Sequence, residues 1–70
     1  MITKLKSKFG AIYKVTSKND LTEFAKNYLS EPELNEMINK VNNYKNYENI
    51  NDGYLGIKRV SQRTYIVEFM

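Results

Sequence analysis

Cysteine and histidine are both absent from the 70-residue chain. Without cysteine there is no disulfide, no thiolate nucleophile and no thiolate ligand for zinc. Without histidine the chain lacks the commonest general base near neutral pH, so Ser–His and Cys–His nucleophile pairs are excluded. We therefore predict a protein that has no metal or cofactor, has no catalytic residues, and suits a reducing cytoplasm.

Long apolar runs are missing as well. No window approaches the roughly 18 consecutive apolar residues that a membrane-spanning helix needs. The apolar residues near the N-terminus alternate with lysine, whereas a signal peptide has a continuous apolar core. Gly10, Gly53 and Gly56 are too scattered to form a phosphate-binding loop. These absences predict a soluble cytoplasmic protein without membrane association.

The remaining composition is that of one small domain over residues 1–70. Hydrophobic residues make up 41% of the chain, which is enough for a small core. A domain of this size buries only about 60% of the surface that its unfolded chain exposes. The net charge is +3, but it is unevenly spread: the charged residues of segment 1–18 are all lysines, and those of segment 19–36 are five acids and Lys26.

The N-terminal segment shows the two-residue period of a half-buried strand. Five of its apolar residues have odd numbers, and its lysines have even numbers: Leu5, Phe9, Ala11, Tyr13 and Val15 against Lys4, Lys6, Lys8 and Lys14. Gly10 interrupts the pattern, so residues 2–16 form either one kinked strand or a short hairpin that turns near residues 8–10. We favour the single kinked strand.

Two short helices follow, with a corner near residues 29–30. The apolar residues of the first helix lie at helical spacing: Leu21, Phe24, Ala25 and Tyr28. Asp20 with Glu23, or Asn19 alone, predicts its N-cap. Ser30 and Glu33 have the spacing of a capping box, and Pro32 suits the first turn of the second helix.

Residues 54–70 are rich in β-branched and aromatic residues, which predicts two strands joined through residues 61–62. In this register Ile57 lies opposite Ile66. The predicted fold is a small α+β domain of order β-α-α-β-β, with a mainly antiparallel three-stranded sheet and both helices on one face. Such a sheet leaves an edge exposed, which favours homodimerisation by strand pairing.

The stretch NNYKNYENINDGYLG, residues 42–56, lies between the second helix and the hairpin. It combines tyrosine, asparagine and glycine, a composition typical of binding loops. We predict a partner-binding surface there, formed by Tyr44, Lys45, Tyr47 and Tyr54. A plain linker is the alternative, in which residues 42–43 end the helix, residues 52–53 turn the chain and a tyrosine packs on the core.

A basic surface is the second candidate. Lys4, Lys6, Lys8 and Lys14 would share a strand face, and Lys58, Arg59 and Arg63 lie in the hairpin. Such a surface contacts a phosphate backbone through charge and without sequence specificity. The alternative function is therefore nucleic-acid binding.

The hairpin YLGIKRVSQRTYIVEF resembles the basic sheet strands of small ribosome-dependent ribonuclease toxins of the RelE type. That resemblance implies a second alternative, a ribonuclease toxin that works without histidine. Its candidate residues would be Lys58, Arg59, Arg63 and Tyr65.

Small size and the absence of catalytic residues favour stoichiometric binding over catalysis. The abundance of asparagine and lysine suggests an AT-rich coding sequence, as in many phages. The predicted function is that of a phage or mobile-element accessory protein that binds and inhibits a host protein, such as a defence or nucleic-acid-handling enzyme.

Overall fold

The structure, a computed structural model, describes residues 1–8, 10–51 and 53–70. These residues form two helices and five strands in the order β-β-α-α-β-β-β. The elements are β1 (Ile2–Leu5), β2 (Ala11–Thr16), α1 (Lys18–Ala25), α2 (Glu31–Asn42), β3 (Tyr47–Asn49), β4 (Leu55–Arg59) and β5 (Thr64–Phe69). The predicted α+β class with two helices is confirmed, and the predicted three-stranded sheet is wrong.

The five strands form one antiparallel sheet in the order β1-β2-β5-β4-β3. The central strand, β5, pairs with β2 on one side and with β4 on the other. Strands β1 and β3 are the edges of the sheet, so the predicted pairing with a second copy would have to occur along one of them.

The N-terminal segment is a hairpin, which was the less favoured of the two alternatives. Ile2 pairs with Val15 and Leu5 with Ile12, so the chain reverses between these strands. Gly10 has a φ of +70°, and a Cβ there would collide with the carbonyl oxygen of Phe69. Only glycine suits this backbone conformation and this close approach, which explains why the period-2 pattern breaks here. Phe9 lies outside the described residues.

Both helices begin at serine N-caps. Ser17, rather than Asp20 or Asn19, caps α1, and its side chain accepts a hydrogen bond from the amide of Asp20. The predicted capping box of α2 is confirmed, because Ser30 and Glu33 bond to each other's backbone amides. Neither helix, within the described ranges, has the length and hydrophobicity that crossing a membrane requires.

The core lies between the helices and one face of the sheet. Alternate strand residues point into it, which follows from the two-residue period of a strand. The fully buried residues with the largest side chains are Val15, Leu21, Met37, Val41, Ile57, Tyr65 and Val67. The opposite sheet face carries Lys14, Lys58 and Glu68, and among the described elements no helix covers it.

The C-terminal hairpin differs from the predicted register by one residue. Ile57 pairs with Val67, and Lys58 pairs with Ile66. The amide of Val60 donates to the carbonyl of Thr64, so three residues rather than two form the loop. The observed register places Ile57 and Val67 together in the core, which is the arrangement that buries both.

Candidate functional site

The end of α2 has an unusual residue at a position that glycine normally occupies. Asn43 is the C-cap, and the next residue, Tyr44, has a φ of +56°. The amide of Tyr44 donates to Val41 and the amide of Lys45 donates to Lys40, which are the two hydrogen bonds of a Schellman motif. A non-glycine residue in this left-handed conformation costs on the order of 1–3 kcal/mol. Tyrosine therefore occupies a position where the backbone conformation favours glycine.

The side chain of Tyr44 is 60% exposed, so burial does not compensate for this cost. Its ring instead lies over the guanidinium of Arg59, 4.4 Å from centroid to Cζ. Arg59 is itself fixed, because its Nε donates to the carbonyl of Ser61 at 3.2 Å and its Nη2 to that of Gln62 at 2.6 Å. The N–H groups of the Arg59 guanidinium thus bind two carbonyls of the β4–β5 loop, and the planar face of the same guanidinium contacts the ring of Tyr44.

These residues belong to one end of the sheet, which we call the cation-rich end. It comprises Lys18, Tyr44, Lys45, Arg59 and Arg63. A cleft of about 360 Å³ lies there, and the described residues that line it include Lys18, Arg59 and Arg63 but no carboxylate. Within the described part of the chain, none of these four cations forms a salt bridge.

Asp20, the acid in the first turn of α1, is paired elsewhere. The carboxylate of Asp20 bonds to the amino group of Met1, and this hydrogen bond lowers the pKa of Asp20 below its ordinary value. The amino terminus of α1 also points toward the cleft, and helix N-termini favour anions. The cation-rich end is therefore a surface of positive potential with an exposed aromatic ring beside it.

The predicted partner-binding residues do not form one surface. Tyr44 and Lys45 are exposed, but Tyr47 lies in β3, is only 2% exposed and packs in the core. Residues 47–49 form a strand, so this segment is not a continuous loop, although Lys45, Asn46, Glu48, Ile50 and Asn51 are exposed. Strand β3 forms where Tyr47 packs in the core and pairs with Ile57. The hydroxyl of Tyr47 accepts a hydrogen bond from Asn49.

Tyr54 precedes β4 and Tyr44 precedes β3, so these two tyrosines lie at opposite ends of an antiparallel strand pair. Its ring occupies the space beside Gly56, where a Cβ would come within 2.8 Å of the ring. Burial raises the pKa of Tyr54, and the carboxylates of Glu48 and Glu68 raise it further. Tyr54 thus covers a glycine on the helix-free face. The predicted turn at residues 52–53 includes Asp52, which lies outside the described residues.

The predicted basic strand face is also divided. Lys4 pairs with Tyr13 and therefore lies on the helix side of the sheet, whereas Lys14 pairs with Thr3 and lies on the other side. Lys6 and Lys8 are exposed in the turn of the first hairpin. The prediction of one lysine face was wrong because the chain reverses direction between these residues.

Of the four residues matched to the ribonuclease toxins, three line the cleft of the cation-rich end and Lys58 lies apart. Lys58 lies on the helix-free face, and Arg59 lies on the helix side. Tyr65 is only 2% exposed, but it lines the same cleft as Arg59 and Arg63, and its ring centroid lies 5.8 Å from the guanidinium of Arg59.

Sequence reasoning missed a polar cluster around Glu33 at the opposite end of the sheet. One carboxylate oxygen accepts from the backbone and side chain of Ser30, and the other accepts from the Nδ2 atoms of Asn49 (2.7 Å) and Asn51 (2.8 Å). The backbone hydrogen bond from Ser30 and the bonds from both asparagines lower the pKa of Glu33. The capping-box spacing predicted the contact between Ser30 and Glu33, but no sequence pattern indicated that Asn49 and Asn51 bond to Glu33.

Comparison with known proteins adds no relative from which a function could be transferred. No protein-family model matches the chain, and neither a curated protein nor a solved structure is significantly similar to it.

Proposed function

We propose that the chain is a non-enzymatic binding protein whose cation-rich end contacts an acidic surface of a protein partner. The observation that carries this proposal is Tyr44, an exposed aromatic residue in a left-handed conformation. The Schellman motif explains the conformation but not the choice of tyrosine, and residues held in unfavourable backbone conformations are often found at functional positions. The ring is supported by Arg59, so it is ordered before a partner arrives.

The chemistry of the cation-rich end suits a protein interface. Tyrosine and arginine are the residue types that most often dominate interface energies. Four cations without internal salt bridges favour a partner that supplies carboxylates. The concrete form of the proposal is an accessory protein of a phage or mobile element that binds a host protein and inhibits it.

The experiment is an affinity pull-down from host lysate with three forms of the protein. The wild type should retain one protein in a stoichiometric complex, and Tyr44→Ala should weaken that complex by about 30-fold if the ring is a hot spot of 2 kcal/mol. The double substitution Lys45→Glu with Arg63→Glu should abolish binding. The matched control is Lys6→Glu with Lys8→Glu, which makes the same charge change in the first hairpin turn and should leave binding intact.

Recovery of no stoichiometric protein, or equal loss in the two double variants, would contradict the proposal. Fold retention in every variant is checked by far-UV circular dichroism and by urea unfolding. A complex whose affinity survives at high salt would also argue against a contact dominated by charge.

Nucleic-acid binding is the second candidate, and the cleft at the cation-rich end supports it. Lys18, Arg59 and Arg63 surround a cavity near the N-terminus of α1, an arrangement that suits phosphate oxygens. This candidate predicts retention on heparin and on DNA that falls steeply with salt and is lost in Lys45→Glu with Arg63→Glu. Retention that depends instead on Lys6 and Lys8 would place the contact on the first hairpin.

The ribonuclease-toxin alternative makes a different prediction. Expression of the wild type should arrest growth, and Arg59→Ala with Arg63→Ala should relieve the arrest. Normal growth of cells that express the wild type would remove this alternative.

A further inference from the structure

A second cleft, of about 350 Å³, lies at the end of the sheet opposite the cation-rich end. We call it the aromatic cleft. It lies between the helix corner, the end of β3 and the start of β4. Its lining includes Asn27, Tyr28, Glu33, Asn49, Asn51 and Phe69.

Two aromatic rings form one wall of the aromatic cleft. Tyr28 and Phe69 lie 4.8 Å apart between centroids, with their planes tilted by 56°. The ring of Phe24 also packs against that of Tyr28, at 5.4 Å between centroids. Tyr28 is nevertheless 55% exposed, so a face of an ordered ring is available to a ligand.

The other wall carries fixed negative charge. The carboxylate of Glu33 is held by four donors, two from Ser30 and one each from Asn49 and Asn51, so it is immobile. Its hydrogen-bonding capacity is largely used, and what it offers a ligand is electrostatic potential. Among the described residues, no lysine or arginine lines the cleft to cancel that charge.

Two side-chain oxygens of the aromatic cleft are free to accept hydrogen bonds. The Nδ2 of Asn27 donates to the carbonyls of Glu23 and Phe24, and among the described residues no donor bonds to its Oδ1. The Nδ2 of Asn51 donates to Glu33, and no donor in the described ranges bonds to its Oδ1. A ligand that complements this set must bring positive charge, donors and a surface that stacks on an aromatic ring.

We propose that the aromatic cleft binds a cationic side chain of a partner polypeptide, with arginine preferred over lysine. The Tyr28 ring attracts the cation through its π face. The Glu33 charge adds Coulomb attraction, and the amide oxygens of Asn27 and Asn51 accept its N–H groups. A guanidinium is preferred because it is planar and has five donors, whereas an ammonium is compact and strongly hydrated. This site is separate from the cation-rich end and does not depend on it.

The test is an NMR titration of the ¹⁵N-labelled chain with two short capped peptides. Ac-Gly-Arg-Gly-NH₂ carries the guanidinium, and Ac-Gly-citrulline-Gly-NH₂ has nearly the same shape without the charge. We expect saturable shifts of the amides around Tyr28 and Asn51 with the arginine peptide, at a Kd on the order of 1 mM. The citrulline peptide should bind several-fold more weakly.

Two variants locate the interaction. Tyr28→Leu keeps an apolar contact with Phe69 but removes the aromatic face, so binding should weaken by about 2- to 5-fold. Glu33→Gln removes the charge, but Glu33 also belongs to the capping box of α2. Tyr28→Leu leaves that capping box intact. Tyr44→Leu, at the cation-rich end, is the control and should bind the peptide normally.

Equal shifts with the arginine and citrulline peptides, or no saturable shift by about 10 mM peptide, would overturn the proposal. Shifts centred on the cation-rich end would also overturn it. The pull-down with Lys45→Glu and Arg63→Glu tests only that other end, so the two proposals fail independently.

Discussion

The guanidinium of Arg59 and the ring of Tyr44 lie 4.4 Å apart, and this contact joins the end of α2 to the end of β4. Neither residue is buried enough for the core to require it. The contact orients an exposed ring at a position where the backbone favours glycine. The Arg59 contact therefore offsets part of the free-energy cost of placing a non-glycine residue there.

Replacing Tyr44 with asparagine should separate folding from binding. Asparagine tolerates the left-handed conformation, so the substitution relieves backbone strain, and it loses a cation–π contact worth about 0.5–1 kcal/mol. We expect the free energy of unfolding to change by less than about 1 kcal/mol in urea titrations. Binding to the partner should nevertheless fall as it does in Tyr44→Ala. A large loss of stability would show that Tyr44 has a structural role.

Tyr47 should behave in the opposite way. It is buried against the core, so Tyr47→Ala should lower the free energy of unfolding by about 3–5 kcal/mol. Tyr47→Phe keeps the ring and loses only the hydroxyl that accepts from Asn49, so its cost should be about 1 kcal/mol or less. Urea unfolding measures both values. Similar stabilities for the two variants would mean that the ring does not pack as described.

Substitution of Gly10 should be far more damaging than substitution of Gly56. A Cβ at Gly10 meets the backbone of Phe69 at a positive φ, so Gly10→Ala should cost about 2 kcal/mol or more. A Cβ at Gly56 meets only the movable side chain of Tyr54, so Gly56→Ala should cost about 1 kcal/mol. Thermal and urea unfolding of the two variants compare these costs, and a reversed order would contradict the hairpin geometry.

The Glu33 cluster should make the fold acid-sensitive. Its hydrogen bonds from Ser30, Asn49 and Asn51 hold the pKa of Glu33 below its ordinary value of 4.5. A lowered folded-state pKa gives stability that is complete above the unfolded-state pKa and is lost as the pH falls through the folded-state value. We therefore expect the free energy of unfolding to decline below about pH 4.5. Urea unfolding at several pH values measures the decline.

Glu33→Gln should flatten this pH dependence and lower the stability at pH 7. The matched control is Glu31→Gln, an exposed acid in the same first turn of α2 that has no hydrogen bond to the β3–β4 connection among the described residues. The control should keep the acid-induced decline. If both variants retain the wild-type profile, Glu33 is not the titrating group, and Asp20, whose pKa is also lowered, is the next candidate.

The helices could be predicted because their signals are local. The spacing of Ser30, Pro32 and Glu33 specifies the start of α2, and the structure has that capping box. The start of α1 was misassigned by a few residues because Ser17, Asn19 and Asp20 are all good N-caps, and the choice depends on where β2 ends.

The strands could be predicted only in part because pairing is not local. The alternating pattern of residues 2–16 is the same for one strand and for a hairpin, and the two are distinguished only by the pairing of β1 with β2. Strand β3 is only three residues long, and its position depends on the burial of Tyr47 opposite Ile57. No short-range pattern carries that information.

The candidate site was found in two halves. The sequence selected Tyr44 and Lys45 in one segment and Arg59 and Arg63 in another, as rival surfaces. The structure brings Tyr44 and Arg59 into contact because α2 ends beside the end of β4. Lys18 was not selected, since nothing in the sequence indicates that the start of α1 lies beside the β4–β5 loop.

The order of the strands has a consequence for synthesis of the protein. The central strand, β5, comprises residues 64–69, and both of its neighbours depend on it for their inner hydrogen bonds. Until the ribosome has made those residues, the first hairpin and the third and fourth strands remain two separate pieces, and the helices have no continuous sheet to cover. Folding during translation is therefore restricted to local pieces, and assembly of the whole domain must wait for its last strand.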